Sequence, residues 1–518
     1  MKRFRILALL PLAVTLLSLA GCKSEKQEPL KTIVILYEND VHCAIDGYAV
    51  MAGYRNAIAD TAWVGLVSAG DYLQGGPAGA LSHGGYIIDI MNEMGYDAVG
   101  LGNHEFDFSG PRLFELIEKL KAPVVCCNLF DAMTEEQIFP SYSIRYYGPK
   151  KVAFVGVLTP ETVDAESYAF YDEDNILLYD LHPEDVYERV QKAAQEARDA
   201  GADYVIVLSH MGEENVKCEI GSKDLVASTR GIDAVIDGHS HETIACDMLP
   251  NLDGTLIPVT QTGTGFANIG KLVITTDGKI STELVPLEEI TSFDATVAGK
   301  VAEIEQEMDI ITSQKLADSD VVLRINSPEG ERLVRKAETT AGDFICDAMR
   351  YVLDTDMAFS NGGGVREDIP AGEVTYGDLI TTFPFDNYLV KLEVIGWRLI
   401  ELIEQNTKLV PKEDGNFPQC SGLRCVVSLP DHKVVSFEVE DSDGKYVPLD
   451  PQKYYTVATV NYCFTNGAFN NVLQDCTVLE RTTMLYREAA SEYITNALGG
   501  HIGAEYAEPK GCLTFVNR

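Results

Sequence analysis

The chain has 518 residues, 46% of them hydrophobic and 23% charged, and carries a formal net charge of -38. That length exceeds what one hydrophobic core organises and predicts two or three domains. The negative charge excludes a nucleic-acid polymer as partner, because phosphate neutralisation needs a basic surface, and it requires any anionic ligand to be held by local cations.

Lys2, Arg3 and Arg5 precede an apolar run over residues 6–19, which reads as a targeting segment. It ends in Leu19-Ala20-Gly21-Cys22, which resembles the bacterial lipoprotein signal, where cleavage before the cysteine is coupled to its lipidation. A signal peptide over 1–21 and a polar tether over 22–30 are expected. The protein would then be exported and anchored to the bacterial cell envelope by a lipidated Cys22. Contact with the membrane would be through the lipid anchor only, since no other stretch approaches the ~20 apolar residues of a span. Setting Cys22 aside leaves eleven of twelve cysteines, an odd number, so at least one is free or paired outside the chain. Cys126 and Cys127 read as small hydrophobes, and Cys420 and Cys425 flank a short turn across which pairing is open.

Residues 31–37 form a continuous apolar run, predict a buried strand, and end in Asn39-Asp40-Val41-His42. Residues 64–69 repeat the pattern and end at Gly70-Asp71. A helix over 87–94 leads to a short strand over 98–101 and then Gly102-Asn103-His104-Glu105-Phe106-Asp107. Strands follow over 123–128 and 151–158, then a helix over 183–200. Strands at 204–210 and from 234 run into His210 and into His239-Ser240-His241. Strands alternating with helices predict an α/β layered domain over 31–292. Five of the nine histidines thus fall where buried strands end, where α/β sheets place their ligands. Nitrogen and oxygen donors without thiolate suit Zn, Mn, Fe or Co at a reactive site.

Val297, Val301, Ile304, Met308 and Ile311 recur at helical spacing and predict a helix within 293–316 packed on a domain. A second domain follows over 317–518. Its informative stretch is Asn361-Gly362-Gly363-Gly364-Val365-Arg366, where glycines permit close backbone approach and Arg366 offers a planar fork to phosphate or a base edge.

The ordered blocks D-x-H, G-D, G-N-H-E, S-H and G-H-x-H resemble the calcineurin-like metallophosphoesterases, and within them the exported 5'-nucleotidase / UDP-sugar hydrolase family. The resemblance implies a four-layered α/β/β/α first domain, a linker helix over 293–316, a second, smaller α/β domain over 317–518 and two divalent metal ions (Zn, Mn or Co). Asp40, His42 and His241 would hold one ion, Asn103, His210 and His239 the other, and Asp71 would bridge them. Such a pair clamps an in-line displacement at phosphorus and makes hydroxide available as nucleophile. His104 would face the phosphate, with Asp107 orienting it. Sibling enzymes acting on 2',3'-cyclic nucleotides usually carry Asn where Asp107 stands. The expected substrates are therefore extracellular 5'-nucleotides, with UDP-sugars also in view. The alternatives are a 2',3'-cyclic-nucleotide 2'-phosphodiesterase/3'-nucleotidase and a non-enzymatic nucleotide-binding lipoprotein.

In the second domain the resemblance carries over Asn361, Gly363 and Arg366, together with Arg335 and Phe385. It implies an aromatic pair around the base, with Tyr462 as second member. The chain departs from the family at Asn466-Gly467-Ala468-Phe469-Asn470, where an acidic residue for the ribose hydroxyls is usual and none is present.

Overall fold

A computed structural model describes residues 31–172, 176–212, 220–465 and 469–517. The expectations for the signal peptide, the tether, Cys22 and residues 466–468 lie outside these residues.

Strands Thr32–Glu38, Ala62–Ser68 and Ala98–Val99 pair in parallel. Antiparallel strands Asn268–Ile274 and Ile280–Pro286 extend that sheet beyond Thr32–Glu38. A six-stranded sheet runs in the order Thr243–Pro250, Leu256–Thr262, Ala234–Ile236, Tyr204–His210, Lys150–Leu158, Tyr142–Tyr147. Side chains alternate across each strand, which decides the layering. Ile33, Ile35 and Tyr37 of the first sheet share one core with Phe154, Ile206, Leu208 and Ile236 of the second. Their neighbours Val34 and Leu36 pack on the helices outside the first sheet. Val155, Val205 and Val207 pack on helix Val186–Asp199 outside the second. The central strands of both sheets are buried on both faces, which is why they read as unbroken apolar runs and why the arrangement is the expected α/β/β/α.

Two sequence-predicted elements differ. Residues 123–128 form no strand; they make one isolated bridge, Val99 to Val124. The backbone then changes partners, with the N–H of Cys126 donating to Pro140 O and that of Cys127 to Gly156 O, so the segment crosses from one sheet to the other. The strand expected over 98–101 stops at Val99, and the chain turns there into the candidate site.

The expected linker helix is Ala295–Thr312. Asp294 caps it, accepting from the N–H groups of Thr296 and Val297 at 2.9 and 3.0 Å. Val297, Val301 and Ile304 are buried in the first part's core. Replacing Asp294 by Ala is expected to cost about 1 kcal/mol, read as a lowered denaturation midpoint. The cap hydrogen bonds, that of Val297 foremost, hold the Asp294 carboxyl below its ordinary value. The difference between the two proteins should therefore be full near neutral pH and vanish as pH falls through that lowered value.

Beyond Lys315–Ser319 lies a separate core of residues from Ala317 to Leu513. It surrounds a five-stranded sheet in the order Pro418–Ser421, Met357–Asn361, Tyr454–Val460, Tyr388–Ile395, Thr477–Leu485, flanked by helix Thr340–Leu353. A four-stranded sheet ends in Leu513–Val516. Among the described residues no helix is long and apolar enough to cross a membrane. Cys420 and Cys425 are both free and buried, so the pairing left open by their spacing does not occur.

Candidate functional site

The parallel strands of both sheets end at one place. Asp40 and His42 follow Thr32–Glu38, Asp71 follows Ala62–Ser68, and Asn103 and His104 open the short helix Asn103–Phe106. From the other sheet come His210, the last residue of its strand, and His239 and His241 after Ala234–Ile236. The backbone there is strained. Asp40, His42, Asp71, His239 and His241 have φ of +52°, +45°, +60°, +79° and +58°. Each such residue costs roughly 1–3 kcal/mol, and such costs cluster at functional sites. Two glycines let the walls meet. A Cβ on Gly102 would lie 2.1 Å from Asp71 Oδ1, and one on Gly238 would lie 2.7 Å from His210 Nδ1.

Asp40, His42, Asp71 and His241 offer ligand atoms within 4.8 Å of one another. The remaining contacts join this group to the second sheet's residues. His210 Nε2 lies 3.2 Å from Asp71 Oδ2 and 3.8 Å from Asp40 Oδ1. His239 Nδ1 lies 3.0 Å from Asn103 Oδ1. The rings of His210 and His239 have centroids 5.5 Å apart. All seven expected ligands therefore line one cleft.

The donors fit cations. His210 Nδ1 faces Ala69 O at 2.8 Å and must donate to it, which turns the Nε2 lone pair towards the carboxylates. That Nε2 is buried without a hydrogen-bond partner. His42 Nδ1 donates to Gln74 O at 3.3 Å, leaving its Nε2 only 3.1 Å from His241 Nε2. Two imidazole nitrogens and two buried carboxylates at such range require positive charge between them. Burial lowers His42 below an ordinary imidazole, whereas the Asp40 hydrogen bond raises His241. Burial disfavours the charged form of His210, yet Asp71 and Asp40 push it up to about 10.

His104 stands apart from this cluster. Its Nδ1 lies 3.0 and 3.1 Å from the two Asp107 oxygens, and its backbone N–H donates to Asp71 Oδ1 at 2.9 Å. Burial works against its charged form, but Asp107 and then Asp71 hold it well above an ordinary imidazole. An imidazole held in that state carries a proton it can donate.

Sequence reasoning passed over several supports. Glu105 is fully buried and accepts from the N–H groups of Asp71, Tyr72 and Leu73 at 2.8, 2.8 and 3.1 Å, which fixes the Asp71 loop. Burial and Asp71 push Glu105 up to about 7. Asn39 steadies Asp40 through a 2.6 Å hydrogen bond. Glu161 lies 3.3 Å from His239 Nε2, the carboxylate position expected behind a ligating imidazole. The Glu of Gly-Asn-His-Glu was the one visible signal; Glu161 had none.

A cavity of about 300 Å³ opens beside His104 and Asp107. Its far wall holds Arg335, Asn361, Gly363, Arg366, Phe385 and Tyr462 from the second part, so all six expected substrate contacts line it. Arg366 lies 5.9 Å from the Phe385 ring centroid. Arg332 and Arg366 flank Arg335, a concentration of cations in an acidic chain. Glu166, unremarked in the sequence, lines the same wall as His104. The side chain of Asn470 is not among those described.

Two family models match the chain: calcineurin-like phosphoesterase over residues 33–243 and the 5'-nucleotidase C-terminal domain over 317–475. A trifunctional nucleotide phosphoesterase of Bacillus subtilis is 26% identical over 85% of this chain and 32% of its own length. The chain spans about a third of the first two Bacillus subtilis relatives, that protein and an endonuclease. A 5'-nucleotidase of Vibrio cholerae is 26% identical over 90% of this chain and 92% of its own. The solved 5'-nucleotidase precursor of Thermus thermophilus superposes with a TM-score of 0.67 at 24% identity, over 94% of this chain and 100% of that one, a likeness of fold.

Proposed function

The chain belongs to the calcineurin-like phosphoesterases that carry a 5'-nucleotidase C-terminal domain, and from that membership we propose a metal-dependent hydrolase of nucleoside 5'-phosphates that also cleaves UDP-sugars. The observation that carries the reading is the cavity, which joins the His104–Asp107 pair on one wall to Arg335, Arg366 and two aromatic side chains on the other. A nucleotide has the matching order of groups, phosphate at one end and a flat base at the other.

Asp40, His42, Asp71 and His241 would hold one divalent ion, and Asp71, Asn103, His210 and His239 the second. When bound, the pair polarises the phosphoryl group and supplies hydroxide near neutral pH. The chain's own residues do the rest. The Nδ1 of His104 is held by Asp107, so its Nε2–H is free to donate to a phosphoryl oxygen and to the departing ribose oxygen. Arg335, Asn361 and Arg366 hold polar groups of the nucleoside end, and Phe385 and Tyr462 stack on the base, which tolerates different bases. We place the domain boundaries at 31–292, 293–316 and 317–518. Export with a lipid on Cys22 is part of the same proposal and is tested by labelled-lipid incorporation that a Cys22→Ala variant loses.

The test is a panel of 5'-AMP, 3'-AMP, 2',3'-cyclic AMP and UDP-glucose with added Mn²⁺ or Co²⁺. Turnover of 5'-AMP and UDP-glucose that disappears with EDTA and returns with the ion supports the reading. Preference for 2',3'-cyclic AMP and 3'-AMP would replace it with the sibling activity, and no turnover on any of the four would remove it. His104→Ala should lower kcat by roughly 10²–10³-fold, as for loss of one transition-state donor, with bound metal unchanged by elemental analysis.

A further inference from the structure

Away from the cleft, Glu338, Asp343 and Cys512 bring ligand atoms within 4.8 Å of one another. All three are buried, at 9%, 1% and 3% exposure. Glu338 is tied down, accepting from the N–H groups of Cys512 and Leu513 at 2.9 and 3.0 Å. Asp343 Oδ2 accepts from the Lys510 N–H at 2.9 Å, while its Oδ1 is buried with no hydrogen-bond partner. The nearby Lys510 ammonium contacts Asp347 and is drawn only secondarily to the Asp343 charge. Burial, then the Glu338 charge beside it, pushes Asp343 up to about 10. Two buried carboxyls at this range need a proton or a cation between them.

The thiol says which. Cys512 is buried and free, and a proton shared by two carboxyls gives a thiol beside them no role. We propose that Glu338, Asp343 and Cys512 bind one thiophilic divalent cation of the Zn²⁺ class, a site separate from the nitrogen- and oxygen-lined cleft. One sulfur and two carboxylate oxygens leave the fourth tetrahedral position to water, and ligand atoms stand about 3.3–3.8 Å apart when such a site is filled. Small side-chain rotations close 4.8 Å to that range. Binding releases the thiol proton and the proton shared by the carboxyls, and forms one metal–sulfur and two metal–oxygen bonds with no change of oxidation state. Cys512 borders an open cavity of about 760 Å³, which gives the ion a way in. The cation would tie helix Thr340–Leu353 to the start of Leu513–Val516, joining distant parts of the chain.

The proposal is independent of the phosphohydrolase reading, and cobalt separates the two. The metal-stripped full-length protein is titrated with Co²⁺ under reducing conditions. A near-ultraviolet thiolate-to-cobalt charge-transfer band can arise only from a sulfur-containing site. We expect that band to saturate at a single Co²⁺ per chain, to be displaced by Zn²⁺, and to be lost in Cys512→Ser and strongly weakened in Asp343→Asn. Absence of the band while cobalt fills the cleft, or a band that survives in folded Cys512→Ser and Asp343→Asn proteins, overturns the site. If Cys512→Ser does not fold, Asp343→Asn alone decides it.

Discussion

Replacing Asp71 by Ala is expected to lower phosphohydrolase turnover by at least about 10³-fold, more than removal of a single transition-state donor. The size of the effect follows from geometry. One carboxylate serves three neighbours: Oδ2 lies 3.2 Å from His210 Nε2 and 3.8 Å from His42 Nε2, and Oδ1 accepts from the His104 backbone. Its removal takes a ligand from both proposed ion positions and releases the backbone of the residue that meets the phosphate. It also removes the nearer of the two carboxylates, Asp71 and Asp40, that hold His210 up to about 10. The His210 ring should then titrate lower, because the desolvation that penalises its charged form remains while the largest opposing charge is gone. The measurements are kcat at saturating Mn²⁺, bound metal by elemental analysis, and the far-ultraviolet spectrum as a check on folding. A folded Asp71→Ala protein that keeps two ions and stays within tenfold of wild-type turnover would remove Asp71 from the bridging position.

The seven candidate ligands were legible because each ends a strand buried on both faces, and such strands announce themselves as unbroken apolar runs. What the letters could not carry is the backbone that aims them. Left-handed φ at Asp40, His42, Asp71, His239 and His241 is invisible in a sequence, since none of these residue types demands it. Glu105 was hidden for a related reason: its partners are backbone N–H groups of a loop about thirty residues away, which no side-chain pattern marks. Residues 123–128 misled because an apolar run fixes burial but not hydrogen-bond partners, and these are divided between two sheets. Cys420 and Cys425 lie close in sequence, yet both thiols are buried and free, which spacing along the chain does not show. In each case what was hidden is long-range closure, and the site is made of long-range closure.

That closure includes a buried ion pair of the second half that reaches into the first, and breaking it is the second large effect. Arg487 is 2% exposed and pairs with Asp386. Arg487 Nη2 donates to Ala80 O at 3.1 Å, and Asp386 Oδ2 lies 3.4 Å from His83 Nε2. Ala80 and His83 belong to helix Gly76–Ser82 and its C-cap in the first half, and Asp386 directly follows Phe385 on the cavity wall. Arg487→Ala is expected to destabilise the chain by about 3–5 kcal/mol, because it leaves Asp386 buried without its counter-charge. Burial already raises the Asp386 carboxyl more than Arg487 and His83 lower it, so its charge is costly where it stands and tolerates the loss of Arg487 badly. A double variant, Arg487→Met with Asp386→Leu, should recover most of the loss, since it removes both desolvation penalties and fills the same space. Chemical denaturation of the full chain reads both numbers. If Arg487→Ala costs under about 1 kcal/mol, the typical worth of a solvated pair, water reaches this contact and the two halves are held together by something else. If the double variant is as unstable as the single, the charges are required as charges, and the apolar surroundings alone do not set the register of Phe385 against His104.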